Sequence, residues 1–331
     1  MVTIREVAEQ AGVSVATVSY VINGTRRVAP DTLARVRRAM AELDYQPNSV
    51  AQSLRTRTTH VIGVLVSDIT NPFFATLVRG VEDAAVAAGY SLLVCNSDED
   101  LIKGNAYMRL LLRRRMDGLL IAPVRDGASP AIQELAKRRM PFVFIDRRAA
   151  GVPADAVLSD NVGGAYQATR HLIERGHRRI GIVLGIPGAT TTEERFAGYR
   201  QALEEAGIPF VEELVAWGGY RIEGGQRAAA QLLSRPEPPT AIFSTNNQMT
   251  VGVLRELFLR RIPIPDKVAV VGFDDLELAE MVIPPLTVVA QDPYEIGQRA
   301  FELLLERLDD PGAGGSREIR VPVELRVRGS T

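Results

Sequence analysis

Val61-Ile-Gly-Val-Leu-Val66 is a run of six residues without one polar side chain. A strand with one wet face alternates polar and apolar positions; a run that does not must be covered on both faces, as in a parallel sheet. It is also too short for a buried helix. Further candidate strands follow at Ser91–Cys95, Gly118–Ala122, Phe142–Asp146, Ile180–Leu184, Ala241–Thr245 and Val268–Phe273. Helical stripes such as Phe74, Leu77, Val78 and Val81 fall between them. Alternating strand and helix patterns predict doubly wound α/β sheets. A chain of 331 residues has room for two or three domains. Two sheets therefore suit the body better than one, with the break near Leu158-Ser-Asp-Asn161.

Ligands of doubly wound sheets meet the carboxyl ends of the strands. Those ends carry Asp68 with Asn71-Pro-Phe-Phe74, Asp146-Arg-Arg148, Arg195 beyond a Gly/Thr loop, Trp217-Gly-Gly-Tyr220, Asn246-Asn247 and Asp274-Asp275. One Asp at a strand end is commonly only a helix cap. Polar and aromatic groups at so many equivalent ends suit a small polyhydroxylated or heterocyclic ligand.

Upstream of the body lies Asn48-Ser-Val-Ala-Gln-Ser-Leu-Arg55. Asn48 can cap a helix after Pro47, with Val50, Ala51 and Leu54 on one face. A helix of about eight residues is marginal alone in water, so it needs a partner to pack against. Before it comes a helical head. Thr3 and Glu6 fit a capping box, Ile4, Val7, Ala8 and Ala11 recur at helical spacing, and Gly12 supplies a left-handed stop. Ser14 can cap a second helix with Val18, Val21 and Ile22 inward, ended by Asn23-Gly24. Two short helices joined by a Gly-containing turn make a helix-turn-helix, and a generic helical hairpin fits the same spacing. In the first case Val15, Ala16, Thr17, Ser19 and Tyr20 face outward at the end that enters a major groove. Ser14 and Thr17 then suit phosphates, and Tyr20, Val15 and Ala16 suit base edges. Pro30 opens a third helix with the buried stripe Leu33, Val36, Met40 and Leu43; Arg35, Arg37 and Arg38 lie opposite, where a solvated face and a phosphate-facing patch both fit.

Up to Thr59, eight arginines stand against five acidic residues, leaving the head at +3 and the rest of the chain at −4. The asymmetry points to a polyanionic partner for the head alone. Cys95 is the one cysteine, so no intrachain disulfide or cysteine metal cluster is expected, nor any cofactor. Met1-Val-Thr-Ile-Arg5 lacks a signal-peptide core and no apolar run approaches the ~18 residues of a membrane span, so a cytoplasmic protein is expected. Dinucleotide-binding, P-loop and nucleophile-elbow glycine motifs are absent. His171 and His177 flank a helix end, which suits a structural role.

Val2 through Gly24 resembles the N-terminus of the LacI/GalR family of bacterial transcription regulators, and Asp44-Tyr-Gln-Pro-Asn-Ser-Val-Ala-Gln-Ser-Leu54 resembles that family's hinge helix. Asp68–Phe74, Glu194–Tyr199, Thr245–Asn247 and Val271–Asp275 are similar to motifs of its effector domain. The resemblance implies an all-α helix-turn-helix head and two doubly wound α/β lobes like a periplasmic sugar-binding protein. It implies a helix-turn-helix domain at 1–46, a hinge and linker at 47–59, and an effector-binding and dimerisation domain at 60–331. Lobe one would span 60–160 and 292–320, lobe two 161–291 and 321–331, with crossings near Ser159-Asp160, Gln291-Asp292 and Val321. Operator contacts would come from Thr3, Ser14, Val15, Ala16, Thr17, Ser19, Tyr20 and Asn23, and around the hinge from Tyr45, Asn48, Ala51, Gln52, Leu54 and Arg55. In the family the leucine at the position of Leu54 wedges into the minor groove and kinks the duplex. Gln52 departs from the arginine common there. Effector contacts would be the stacking pair Phe73 and Tyr220, the polar clamp Arg195 and Asp274, and Asn71, Asp146 and Asn246. Asn247 replaces a frequent aspartate, which inclines the expectation to a sugar acid or phosphorylated sugar over a neutral sugar. With no C-terminal heptad helix, a homodimer on pseudo-palindromic operator DNA is expected. The function implied is a repressor controlled by a sugar-like effector; a sugar-binding protein without a DNA role is the alternative, and an enzyme is not expected.

Overall fold

The computed structural model describes residues 2–23, 26–45, 58–114, 116–125, 129–276, 279–310, 312 and 314–331. Asn48, Ala51, Gln52, Leu54 and Arg55, and with them the expected hinge helix, lie outside the described residues. The chain divides into two compact units, Met1–Thr59 and His60–Thr331.

The head unit holds α1 (Ile4–Ala11), α2 (Val15–Asn23) and α3 (Pro30–Glu42). Thr3 and Glu6 form the capping box, and Gly12 ends α1 at φ 62°. Gly12 is one place where glycine is required, because an L side chain is strained at that φ. Val7, Ala8, Ala11, Val18, Val36 and Ala39 make a small core, with Val21, Ile22, Met40, Leu43 and Tyr45 packed on it. Leu33, expected in the buried stripe of α3, is only half-buried; Ala39 takes the inward position.

The body holds two six-stranded sheets. Sheet one contains β1 (Val61–Val66), β2 (Ser91–Asn96), β3 (Gly118–Ile121), β4 (Phe142–Ile145), β5 (Asp155–Ser159) and β11 (Glu318–Val321), in the order β11-β5-β4-β3-β1-β2. Sheet two contains β6 (Ile180–Leu184), β7 (Val215–Trp217), β8 (Ala241–Ser244), β9 (Ala269–Phe273), β10 (Thr287–Ala290) and β12 (Glu324–Arg326), in the order β12-β10-β9-β8-β6-β7. Among the described residues the strand pairs are parallel except β10 with β12. Both faces are covered, as the apolar runs require. Ile62, Val64 and Val66 of β1 meet α4 (Pro72–Ala87) and α11 (Pro293–Asp309), whereas Leu65 meets α5 (Leu101–Arg113) and α6 (Pro130–Arg138) on the other side. Sheet two is flanked by α7 (Asn161–Glu174), α8 (Thr190–Glu205), α9 (Ile222–Leu233) and α10 (Asn247–Leu259). The chain passes between sheets after Ser159, between Ala290 and Pro293, and between Val321 and Glu324.

Candidate functional site

On the head, Ser14 opens α2. Its Oγ accepts from Thr17 N at 3.1 Å and lies 2.9 Å from Thr17 Oγ1. Val15 and Ala16 are exposed, and Ser19 and Tyr20 half-exposed, while Val18 is wholly buried. The structure thus leaves Ser14, Val15, Ala16, Thr17, Ser19 and Tyr20 open to solvent in whole or in part. Arg26 places its guanidinium 5.8 Å from the Tyr20 ring centre, adding a cation that the sequence reading did not select. Thr3 is spent on its cap. Tyr45 packs against the head core, with its N–H donating to Met40 O at 2.9 Å, so it supports the end of α3. The backbone of Asn23 ends α2.

In the body, all seven expected effector residues, Asn71, Phe73, Asp146, Arg195, Tyr220, Asn246 and Asp274, line one cavity of about 20 Å³ between the sheets. Parallel strands explain the convergence: each residue lies just beyond a strand's carboxyl end or on the following helix. Asn71 and Asn246 are also helix caps, accepting from Phe73 N at 3.0 Å and Met249 N at 3.1 Å. Asp146, Tyr220 and Asp274 have φ of 62°, 60° and 74°. Left-handed non-glycine residues cost roughly 1–3 kcal/mol each and cluster at functional sites.

The groups hold one another. Asn71 Nδ2 donates to Asn247 Oδ1 at 3.1 Å, and Asn247 Nδ2 returns the bond at 2.7 Å, a reciprocal amide pair across the cleft. Arg195 Nε donates to Asn161 Oδ1 at 2.9 Å and its Nη1 to Thr245 O at 2.6 Å, while its guanidinium lies 3.7 Å from the Phe273 ring centre. Tyr220 Oη is 2.7 Å from Thr191 Oγ1 and 2.6 Å from Thr192 Oγ1. Arg147 is forked onto Glu99 at 2.8 and 2.7 Å, paired with Asp146 at 3.3 Å, and laid 4.6 Å over the Tyr220 ring. Asp274 accepts from Asn247 N at 3.1 Å and from Gln291 Nε2.

Burial pushes the Asp146 carboxyl up to about 6; Arg147 and Arg195 pull it down, and Asp274 and Glu99 push it further up. Burial works against the charge of Arg147, but Glu99, Tyr220 and Asp146 outweigh it and raise its pKa. Glu99, Thr191 and Gln291 line the cavity without having been expected. The strand-end rule applied to β2 reaches Glu99; Thr191 and Gln291, on a first helical turn and a crossing, carry no such mark. Trp217 is half-exposed on edge strand β7 and absent from the lining. His171 and His177 sit against Thr331 and Thr240 at 2.8 and 2.9 Å, a structural use.

No cluster of His, Cys, Asp and Glu fit for a metal occurs among the described residues. Among them no helix is long and apolar enough to cross a membrane.

Residues 59–328 match the family model described as periplasmic binding proteins and sugar binding domain of LacI family, and residues 3–48 that of bacterial regulatory proteins, lacI family. The HTH-type transcriptional repressor PurR of Vibrio atlanticus (strain LGP32) is 39% identical over 94% of this chain and 93% of its own. The ribose operon repressor of Escherichia coli (strain K12) is 37% identical over the full length of both chains. A crystal structure of the lac repressor dimer bound to operator and the anti-inducer ONPF superposes with a TM-score of 0.89 at 30% identity, covering 100% of this chain and 99% of that one. The open face of α2, the cleft between two parallel sheets and these full-length likenesses agree: the chain belongs to the LacI family of bacterial regulatory proteins, as a DNA-binding transcriptional repressor under effector control and not an enzyme.

Proposed function

We propose that the effector is a neutral monosaccharide held in the cleft between the two lobes, contacted by Asn71, Phe73, Asp146, Arg195, Tyr220, Asn246 and Asp274. The charge balance of the lining carries this reading. In the lining Asp68, Glu99, Asp146 and Asp274 stand against Arg147 and Arg195; Arg147 is already neutralised by Glu99, and Asp68 takes the one further cation, Arg221, from the rim, so Asp146 and Asp274 are left to Arg195. A sugar acid would add negative charge where burial has already raised Asp146. This turns the preference away from the sugar acid that Asn247 alone suggested. Hydroxyls, which both donate and accept, suit a lining of amides, carboxylates and guanidinium. Likeness to the ribose operon repressor supports the same class. A heterocycle, the second reading, has the aromatic rings of Phe73 and Tyr220 in the lining in its favour. It must displace Arg147 from the face of Tyr220.

The head at 1–46 and the hinge at 47–59 then deliver the response to DNA. Ser14 and Thr17 bind phosphate, and Val15, Ala16, Ser19 and Tyr20 read bases. Thr3 and Asn23 add operator contacts, and Asn48, Ala51, Gln52, Leu54 and Arg55 contact the minor groove. The protein works in the cytoplasm as a homodimer. Exposed apolar Val251, Phe258, Leu259, Met281 and Ile283 support the pairing, with Ile283 98% exposed beside a groove of about 750 Å³. Changing Ile283→Lys and Phe258→Lys together should give a folded monomer by sedimentation; an intact dimer would move the interface elsewhere.

The effector class is tested by thermal shift with ribose and other neutral sugars, their matched sugar acids, and purine bases. Neutral sugars should raise Tm, since a ligand that binds only the native state stabilises it. A larger shift with an acid or a purine would overturn the proposal.

A further inference from the structure

Lobe one carries a charge separation that neither the cleft nor the head explains. Helices α5 and α6 follow β2 and β3 and run back against them, so their last turns lie at the edge where β1 begins. The hydrogen bonds agree. Asp117, just after α5, donates its N–H to Val61 O at 3.0 Å and accepts from His60 N at 2.8 Å. This edge is where the chain enters the body from the head. It carries Arg109, Arg113 and Arg114 from α5 and Lys137, Arg138 and Arg139 from α6, all exposed. Arg138 is tied to Glu134 at 2.8 Å. Among the described residues the other five make no ion pair. Arg109, Arg113 and Arg138 rim a groove of about 260 Å³ floored by Leu112, Pro130 and Ala131.

The opposite face of the same sheet is different. Its covering helix α11 ends in Glu306, Arg307, Asp309 and Asp310, and Arg307 is spent on Asp155 at 2.7 Å. Cations are elsewhere commonly paired: Arg221 with Asp68 and Asp98, Arg320 with Glu194, Arg328 with Asp275. Other body cations, such as Arg175, Arg200, Arg227, Arg255 and Arg261, also make no ion pair among the described residues, but they stand on different helices; at this edge five stand together on two neighbouring helix ends of a body with a net charge of −4. Unpaired arginine and lysine at high density is the footprint of a polyanion.

We propose that the α5–α6 edge of lobe one is a second DNA-contacting surface, binding phosphates of the duplex that flanks the operator. The proposal rests on the repressor reading of the head. It adds a sequence-independent contribution from the body, so flank length should matter to affinity and salt dependence. An acidic protein is the competing partner.

The test uses the full-length protein and a duplex selected by it from a random-sequence pool. The duplex is either trimmed to the protected site or extended by about 15 base pairs at each end. Wild type should bind the extended duplex several-fold more tightly, with a salt slope steeper by about 0.9 for each phosphate engaged. Arg113→Gln/Arg114→Gln/Lys137→Gln should abolish both differences while matching wild type on the trimmed duplex. Arg113→Lys/Arg114→Lys should retain them, because phosphates respond to charge. Equal affinities of wild type for the two duplexes would overturn the proposal and leave the patch to an acidic protein. An equal loss on both duplexes by the Gln variant would also overturn it, as damage to folding or pairing. Failure of wild type on the trimmed duplex would instead strike the repressor reading.

Discussion

Asp146 brings a carboxylate into a buried site already holding Asp68, Glu99 and Asp274; burial, with Asp274 and Glu99 adding to it, pushes its pKa up to about 6 against the pull of Arg147 and Arg195. Burial is the larger cause and the neighbouring carboxylates the smaller. The folded value lies above the ordinary 3.8, so the native state binds this proton more tightly than the unfolded chain. Stability from this group is therefore greatest below pH ~4, falls as pH rises to about 6, and is flat beyond. Between pH 7 and pH 5 the change amounts to roughly 1 kcal/mol. The expected outcome is that Asp146→Asn loses this component: the wild-type minus variant difference in unfolding free energy should rise on going from pH 7 to pH 5. A flat difference would show that Asp146 titrates normally. Asp155 and Asp275 are lowered instead: burial opposes the charge, but Arg307 and the Arg317 amide, or Arg328 and Arg326, outweigh it. Their stabilisation is lost in acid, which is why a difference curve is needed. This balance was not legible in the sequence. Strand ends and the family resemblance together singled out seven of the lining residues, because a parallel sheet brings such ends together. Glu99 also follows a strand, but two successive left-handed residues, Asp98 and Glu99, place it, and no pattern marks them.

Elements show the same division between what a pattern dictates and what contact adds. Strands β1, β3, β4, β6, β8 and β9 are dominated by apolar runs and stood out, as did edge strand β2. Central β5 and β10, each opened by a polar residue, and the edge strands β7, β11 and β12, only three or four residues long, did not. Helix approach is invisible to periodicity. A Cβ on Gly80 of α4 would lie 2.2 Å from Tyr294 O, and one on Gly297 of α11 would lie 2.1 Å from Leu77 O. These two glycines set how closely α11 packs on lobe one after its crossing. Gly80→Ala must push backbone apart, and overpacking of this kind costs about 1–3 kcal/mol. Its Tm should fall clearly, by calorimetry, while a wild-type Tm would mean that the helices separate at no cost. The head offers the opposite change. Ala29 precedes α3 with no side-chain cap. Ala29→Asp supplies an acceptor for the free amides and should stabilise an isolated head by about 1 kcal/mol in thermal melts. No gain would mean that the start of α3 is already satisfied.

At the scale of the whole body, function depends on how firmly the lobes hold each other. Besides the Asn71–Asn247 amide pair and the Arg148–Thr190 bonds, two sets of ionic contacts join them. Near the crossings, Arg320 of β11 forks onto Glu194 of α8 at 2.7 and 2.6 Å; Glu194 accepts from Asn161, and Asn161 accepts from Arg195 in the cleft. Strand β11, beside the crossing to lobe two, is thus tied by hydrogen bonds to the proposed effector clamp. At the cleft's other side, Arg221 ahead of α9 donates to Asp68 at 3.1 Å and to the side chain and carbonyl of Asp98 at 2.9 Å. Arg221 is partly exposed, at 42% of its side-chain area, so water screens these pairs and their share of global stability is small, about 0–1 kcal/mol. Their geometry matters more than their energy, because they form only when sheet one and sheet two stand this close. Arg221→Ala should therefore leave Tm within a few degrees of wild type yet speed effector release. The affinity loss should be roughly three- to tenfold, which corresponds to about 1 kcal/mol. More effector would then be needed to change operator occupancy by the same amount, since coupling between the sites acts through lobe closure. Stopped-flow release of a sugar found by thermal shift, beside a DNA-binding titration, measures both. Unchanged release kinetics, or a large fall in Tm, would show that Arg221 is a surface ion pair and not a latch on the cleft.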